Sequence, residues 1–384
     1  RVYAEKAALI AGKRGARLLR AKALLKQGWA LWTQGRDDDV APIYEEAKQL
    51  FSELGDRSGL ARTLNNIGLA QHRQHRDTEA GRSYADGLRI AEEIGDTEAQ
   101  AWLLNNWAYL YFDAGDPGKA LELHMKKLKL GGERGDLPSS QAAGHINVSE
   151  ILRLRGDLAG ARDHCNQAED LLRGLDARRF AAFTAGYCGE LLRVSDDLVG
   201  AKKKFEQALG WASDVMTPAE SAEMRVAMAR AELDDNHAAE AEALTRTALA
   251  DLAAVNEGSQ RVCASAILAT ALLTRDRVAD AAAEIETTSK LPAEGVSFPC
   301  RIEAEIARAH VDIARDPSSK ADVLARLEKT RAAAAAATFV QWELAARLAI
   351  GELSGDRAAL KKLAKDADTL GFKLVARRAK ALAR

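Results

Sequence analysis

Two asparagine pairs, Asn65-Asn66 and Asn105-Asn106, stand forty residues apart, and Asn147 follows at the matching place. A carboxamide offers a donor and an acceptor, so it can pair with the N–H and C=O of an extended peptide. On the helical period Arg62, Leu69 and His72 share the face of the first pair, and Trp102, Tyr109 and Phe112 that of the second. Glu150 and Arg153 fall in the same register beside Asn147, and Arg193 one repeat further on. Aromatics flanked by amides and arginines suit a peptide groove, which needs apolar anchors and groups for main chain and carboxylates. The binding set is therefore Asn65, Asn66, His72, Trp102, Asn105, Asn106, Tyr109, Phe112, Asn147, Glu150, Arg153 and Arg193. The competing reading has the amides tying adjacent helices together and the aromatics packing between repeats.

Other chemistries find little support. His72 and His75 are three apart, a spacing open to a metal, but no carboxylate or Cys completes a site. Neither Gly12–Gly15 nor Gly115–Lys119 has phosphate-loop spacing. No Ser/His/Asp or paired-carboxylate arrangement stands out from ordinary helix surface. The expectation is a chain that is not an enzyme and takes no metal or cofactor. Cys165, Cys188, Cys263 and Cys300 show no CxxC pairing, which predicts free buried thiols in a reducing cytoplasm. Arg1–Arg36 carries nine basic residues (Arg1, Lys6, Lys13, Arg14, Arg17, Arg20, Lys22, Lys26, Arg36) against Glu5, and reads as a solvated helix face.

The elements that must position these residues follow from a second pattern. Gly28, Gly68, Ala108, Ser149, Gly189, Ala229, Ala269, Ala309 and Ala349 lie 40 or 41 residues apart. A small side chain lets a partner helix approach closely. Ala80, Ala120, Ala161, Ala201, Ala241, Ala281 and Ala321 follow twelve residues after their own small residue, with Val40 in that place in the first repeat. In the ninth repeat Lys361 falls at that place, so its second helix is either shifted or acts as a terminal cap. Breakers such as Gly35-Arg36, His75-Arg76, Gly115-Asp116, Asp196-Asp197 and Gly355-Asp356 separate the two helices of each unit. Pro117 and Pro317 come directly after such breaks. Residues 1–384 thus read as one all-α, right-handed α-solenoid of about nine helical hairpins. Its first repeat is placed at about 16–54 and its last repeat and cap at about 337–384.

At these residues the chain resembles the tetratricopeptide repeat family. Leu104, Trp107, Ala108, Tyr111, Gly115-Asp116 and Ala120 match its motif in repeat three, and Gly189, Leu192, Ala201, Phe205 and Ala208 in repeat five. The repeat length resembles the longer-helix subtype of adaptors and bacterial signalling proteins. The resemblance implies that first helices line an inner, concave surface and that an Asn at the place of Asn66 belongs to the motif. Trp342–Leu348 and Gly371–Ala379 resemble the C-terminal repeat regions of bacterial serine/threonine kinases and of winged-helix or LuxR-type regulators. That resemblance, with a chain beginning at Arg1, implies a piece of a longer protein with a kinase or DNA-binding domain upstream.

Composition bounds the partner. Hydrophobic residues make up 47% and charged residues 29%, which fits a folded helical chain. A net charge of −1 gives no global drive toward nucleic acid. No stretch reaches the roughly 20 apolar residues of a membrane span. The expected function is a non-catalytic protein- or peptide-binding scaffold in signalling. The alternatives are a sensor arm for an upstream effector domain and a self-association module.

Overall fold

In the computed structural model residues 2–13, 15–34, 36–253, 258–290 and 296–384 are described, so Arg1, Arg14 and Gly35 lie outside them. The described residues form helices and short turns, with no strand. Helices α1 to α10 are Val2–Lys13, Arg17–Trp32, Asp37–Leu54, Arg57–Arg73, Asp77–Glu93, Thr97–Ala114, Pro117–Arg134, Pro138–Leu154, Leu158–Leu172 and Arg178–Val194. Helices α11 to α20 are Leu198–Val215, Pro218–Asp234, Ala238–Leu252, Gly258–Thr274, Val278–Ser289, Phe298–Arg315, Lys320–Ala336, Val340–Ser354, Arg357–Thr369 and Lys373–Leu382. Even-numbered helices from α2 carry the small residue, and the odd-numbered helix after each completes the hairpin.

Helix ends follow local chemistry. Asp56 accepts from the Gly59 amide at 2.8 Å and Asp157 from the Gly160 amide at 2.9 Å, so each caps the next helix. Thr217 and Glu220 form a reciprocal capping box at the start of α12. The turn residues His75, Asp196, Asn236 and Asp276 take positive φ where Gly115 and Gly156 serve the same role elsewhere. Pro117 opens α7 as its spacing predicts, whereas Pro317 sits in a 3₁₀ turn, Pro317–Ser319, ahead of α17.

The chain folds as two compact units, Arg1–Phe112 with Glu122–Gly135, and Asp113–Leu121 with Asp136–Arg384. In the first unit the forty-residue spacing has a steric cause. A Cβ on Gly28 would lie 2.2 Å from the Tyr44 ring, and one on Gly68 2.5 Å from the Tyr84 ring. Both tyrosines are fully buried on the partner helix, so only glycine admits them. Leu64, Leu88, Leu103 and Leu104 complete the core around Tyr84.

The second unit repeats the device with Gly189 against Phe205. In the ninth repeat a Cβ on Gly351 would meet the buried Leu360 at a separation of nine residues, a different contact from the glycine–ring pairs, and Lys361 breaks the rule there. The chain then returns on itself. Leu344, Leu348, Leu360, Leu363 and Phe372 of α18–α20 share one core with Ile146, Leu158, Cys165 and Leu191 of α8–α10.

The cysteines correct the expectation of free thiols. Cys165 is joined to Cys188 and Cys263 to Cys300, with Cα separations of 5.8 and 5.0 Å, and no free cysteine remains. The partners lie 23 and 37 residues apart. Helix stacking brings them together, which is why no local spacing announced the pairing.

Candidate functional site

The asparagines form a chain of hydrogen bonds across α4 and α6. Lys127 donates to Asn105 at 2.8 Å, Asn105 to Asn106 at 3.3 Å, Asn106 to Asn65 at 2.8 Å and Asn65 to Asn66 at 3.2 Å. Asn66 in turn hydrogen-bonds with the Tyr44 hydroxyl. The next repeat departs from this pattern. Asn106 turns its amide to Asn65, and the buried Tyr84 hydroxyl has no hydrogen-bond partner. Asn65 is buried while Asn66, Asn105 and Asn106 keep partial access. The amides therefore tie α4 to α6, and three of them still reach solvent.

Aromatic side chains flank this ladder. Trp102, Asn105, Asn106 and Tyr109 follow at i, i+3, i+4 and i+7 of α6, one face of the helix. Trp102 is 42% and Tyr109 40% exposed, high values for such side chains. The Arg62 guanidinium sits 5.0 Å over the Trp102 ring and donates to Glu98 at 2.8 Å. Tyr109 stands edge-on against His124 at 5.4 Å. Burial pushes the His124 imidazole down to about 3, with Lys127 adding to the effect, so His124 is a neutral support under the tyrosine. His72 and Phe112 are half-buried, and burial lowers the His72 imidazole against the pull of Asp77.

The sequence reading missed the first repeat and the second helices. Trp29, 45% exposed, stacks on Trp32 at 4.9 Å, and Arg73 lies 4.3 Å over the Trp32 ring. The signal was present: Trp29 stands forty residues before Leu69 and eighty before Tyr109. Lys127, on α7, had no such register to reveal it.

The second unit places its predicted residues differently. Asn147 and Glu150 keep partial access, whereas Arg153 and Arg193 are buried. Arg193 contacts Glu190 at 3.1 Å and Asp234 at 2.5 Å, and Arg153 donates to Gln341 of α18. Arg230 grips Glu303 with two bonds of 2.7 Å. Burial opposes ionisation of Glu190, but Arg193, Arg230 and Arg153 together hold its carboxyl below the usual range. Here the first-helix register leads into a charged interior rather than to an open strip.

One cluster has metal-like donors. Glu232, Asp235 and His237 bring three ligand atoms together, but the Lys202 ammonium lies 2.7, 2.6 and 3.1 Å from them. A lysine fills the place a cation would take. No described helix is long and apolar enough to cross a membrane.

Residues 59–130, which contain this ladder and its aromatic flanks, match the tetratricopeptide repeat family. No curated protein sequence matches the chain. Among solved structures the chain is similar to a Rap protein complexed with competence and sporulation factor. That likeness has 14% identity and a TM-score of 0.57, over 91% of this chain and 99% of the other. The apo form of RapI gives 14% and 0.56, over 74% and 98%. An IFIT1 monomeric mutant with Gppp-AAAA gives 11% and 0.50, over 94% and 90%. At these identities the likeness speaks for the fold alone. Residues 59–130 thus carry tetratricopeptide repeats, and hairpins at the same forty-residue spacing run through the described residues on either side.

Proposed function

We propose that the chain is a non-catalytic regulatory scaffold that binds an extended peptide or protein segment along the α4–α6 face of its first unit. The observation that carries this reading is the partly exposed amide row Asn105–Asn106–Asn66 between exposed Trp102 and Tyr109. Amides of this kind can exchange an internal partner for peptide main chain, and the rings supply anchors whose burial dominates peptide affinity. Lys127 adds positive charge beside the row, while Arg62 is already paired with Glu98 and Asp96, and a lysine there favours peptides with an acidic side chain near an apolar one. A Rap protein of this fold is itself complexed with competence and sporulation factor, which agrees with such a role.

Selection from a random peptide library on the immobilised chain tests the reading. Recovered sequences should pair an apolar residue with an acidic one, and Asn105→Ala should reduce their retention. Recovery of no consensus, or equal retention by the variant, would refute it.

A further inference from the structure

The interior of the second unit has more acid than its arginines neutralise. Glu150 of α8, Glu190 of α10 and Arg230 of α12 occupy one register forty residues apart, and Tyr187, Glu223 and Glu303 join them from α10, α12 and α16. Arg193 bonds Glu190 and Asp234, which Arg378 of α20 also reaches at 3.4 Å, and Arg230 bonds Glu303. Two carboxylates are left over. Glu223 accepts only from the Tyr187 hydroxyl, at 2.9 Å, and no described residue donates a hydrogen bond to Glu150. The surroundings register the imbalance. Burial pushes the Glu150 carboxyl up to about 7, with Arg153 opposing and Glu223, Asp113 and Glu190 reinforcing the rise. Burial likewise raises Glu223.

A second observation points to a ligand. Glu190 is 8% exposed, and its Oε1 has no hydrogen-bond donor, the nearest cation being Arg230 Nη1 at 4.0 Å. A buried carboxylate oxygen without a donor is costly and calls for a partner. Glu150, Tyr187 and Glu223 keep partial solvent access, so the place is not sealed. Nor does it suit a metal ion, because these carboxylates do not converge as Glu232, Asp235 and His237 do. Carboxylate acceptors spread over three helices match a cation that carries several N–H groups of its own.

We propose that the interior of the second unit binds an organic cation, a guanidinium or alkylammonium group, through Glu150, Glu190 and Glu223. The cation would donate to the free Oε1 of Glu190 and to the carboxylates of Glu150 and Glu223, to which no described arginine donates a hydrogen bond. The proposal does not rest on peptide binding at the α4–α6 face.

Isothermal titration of the full chain at pH 8 with agmatine, spermidine and an acetylated, amidated Ala-Arg-Ala-Ala peptide tests the proposal. At least one probe should bind with 1:1 stoichiometry. Binding of the amines alone assigns a small-molecule cation, and binding of the peptide alone assigns an arginine side chain. Glu150→Gln and Glu223→Gln should each weaken binding at least tenfold, while Glu328→Gln, on the exposed side of α17, should not. Affinity should fall at pH 6, where protonation of Glu150, which faces Arg153, Glu190, Glu223 and Asp113, competes with the cation. Glutamine resembles the protonated acid, so folding should survive, as circular dichroism would verify. Absence of 1:1 binding by all three probes, or undiminished affinity in both variants, would overturn the proposal.

Discussion

The Asn106 carboxamide donates to Asn65 at 2.8 Å across 41 residues of sequence, tying the third repeat to the second. Asn65 is buried and Asn105 is half-buried, so the two ladder members should answer differently to truncation. Asn65→Ala leaves Asn106 without its acceptor and Asn66 without its donor, and should cost about 1–3 kcal/mol. Asn105→Ala should cost less than about 1 kcal/mol, because water can replace it for Lys127. Urea unfolding of both variants checks the ranking, and equal losses would show that the ladder is not the tie between α4 and α6.

The glycine register makes a steric prediction. Gly68→Ala places a Cβ 2.5 Å from Tyr84 Cε1, inside a filled core. Helix propensity would favour alanine by about 1 kcal/mol. Overpacking against a ring with no room to move should cost about 1–3 kcal/mol and prevail. A lower Tm for Gly68→Ala is the expected outcome, whereas Gly132→Ala, with nothing near its Cβ, should be neutral or stabilising.

The cysteine pairing can be counted directly. Denatured, unreduced protein should titrate no thiol, and reduced protein four. Cys263→Ala with Cys300→Ala should lose roughly 2–4 kcal/mol relative to the oxidised chain. Four thiols before reduction would restore the reading from sequence.

Glu150 gives a pH dependence of definite sign. Its folded carboxyl is raised from 4.5 to about 7, so the folded state holds the proton more tightly than the unfolded one. Stability from this group is full below about 4.5 and is lost as pH rises toward 7. Wild-type Tm should therefore drop more between pH 5 and pH 8 than that of Glu150→Gln, which has no proton to lose. The difference should be several degrees, as a change of about 1 kcal/mol moves Tm by about 2–4 °C. Parallel pH profiles would show that Glu150 is not held in its protonated form.

The hairpins were legible because one steric requirement, a small residue facing a bulky one, recurs at fixed spacing. Gly68 with Tyr84 and Gly189 with Phe205 carry that signal in residue type alone. The face around Asn105 was legible for the same reason, since Trp102, Asn106 and Tyr109 share its helical period. What periodicity does not encode is contact across many repeats. The return of α18–α20 onto α8–α10 buries Arg153 against Gln341, 188 residues away, and no local pattern announces it. The two disulfides were hidden likewise, as was Lys127, which reaches Asn105 from a second helix.

The proposed peptide site requires Trp102 and Asn105 to act as one binding face. The most direct measurement is the affinity of a library-selected peptide, read by fluorescence anisotropy for wild type, Trp102→Ala, Asn105→Ala and the control Arg89→Ala on α5. Trp102→Ala should weaken binding at least tenfold and Asn105→Ala about three- to tenfold, in keeping with an anchor and a neutral hydrogen bond. Arg89→Ala should leave it unchanged. Equal affinity for all four proteins, or loss only with Arg89→Ala, would contradict the proposed site.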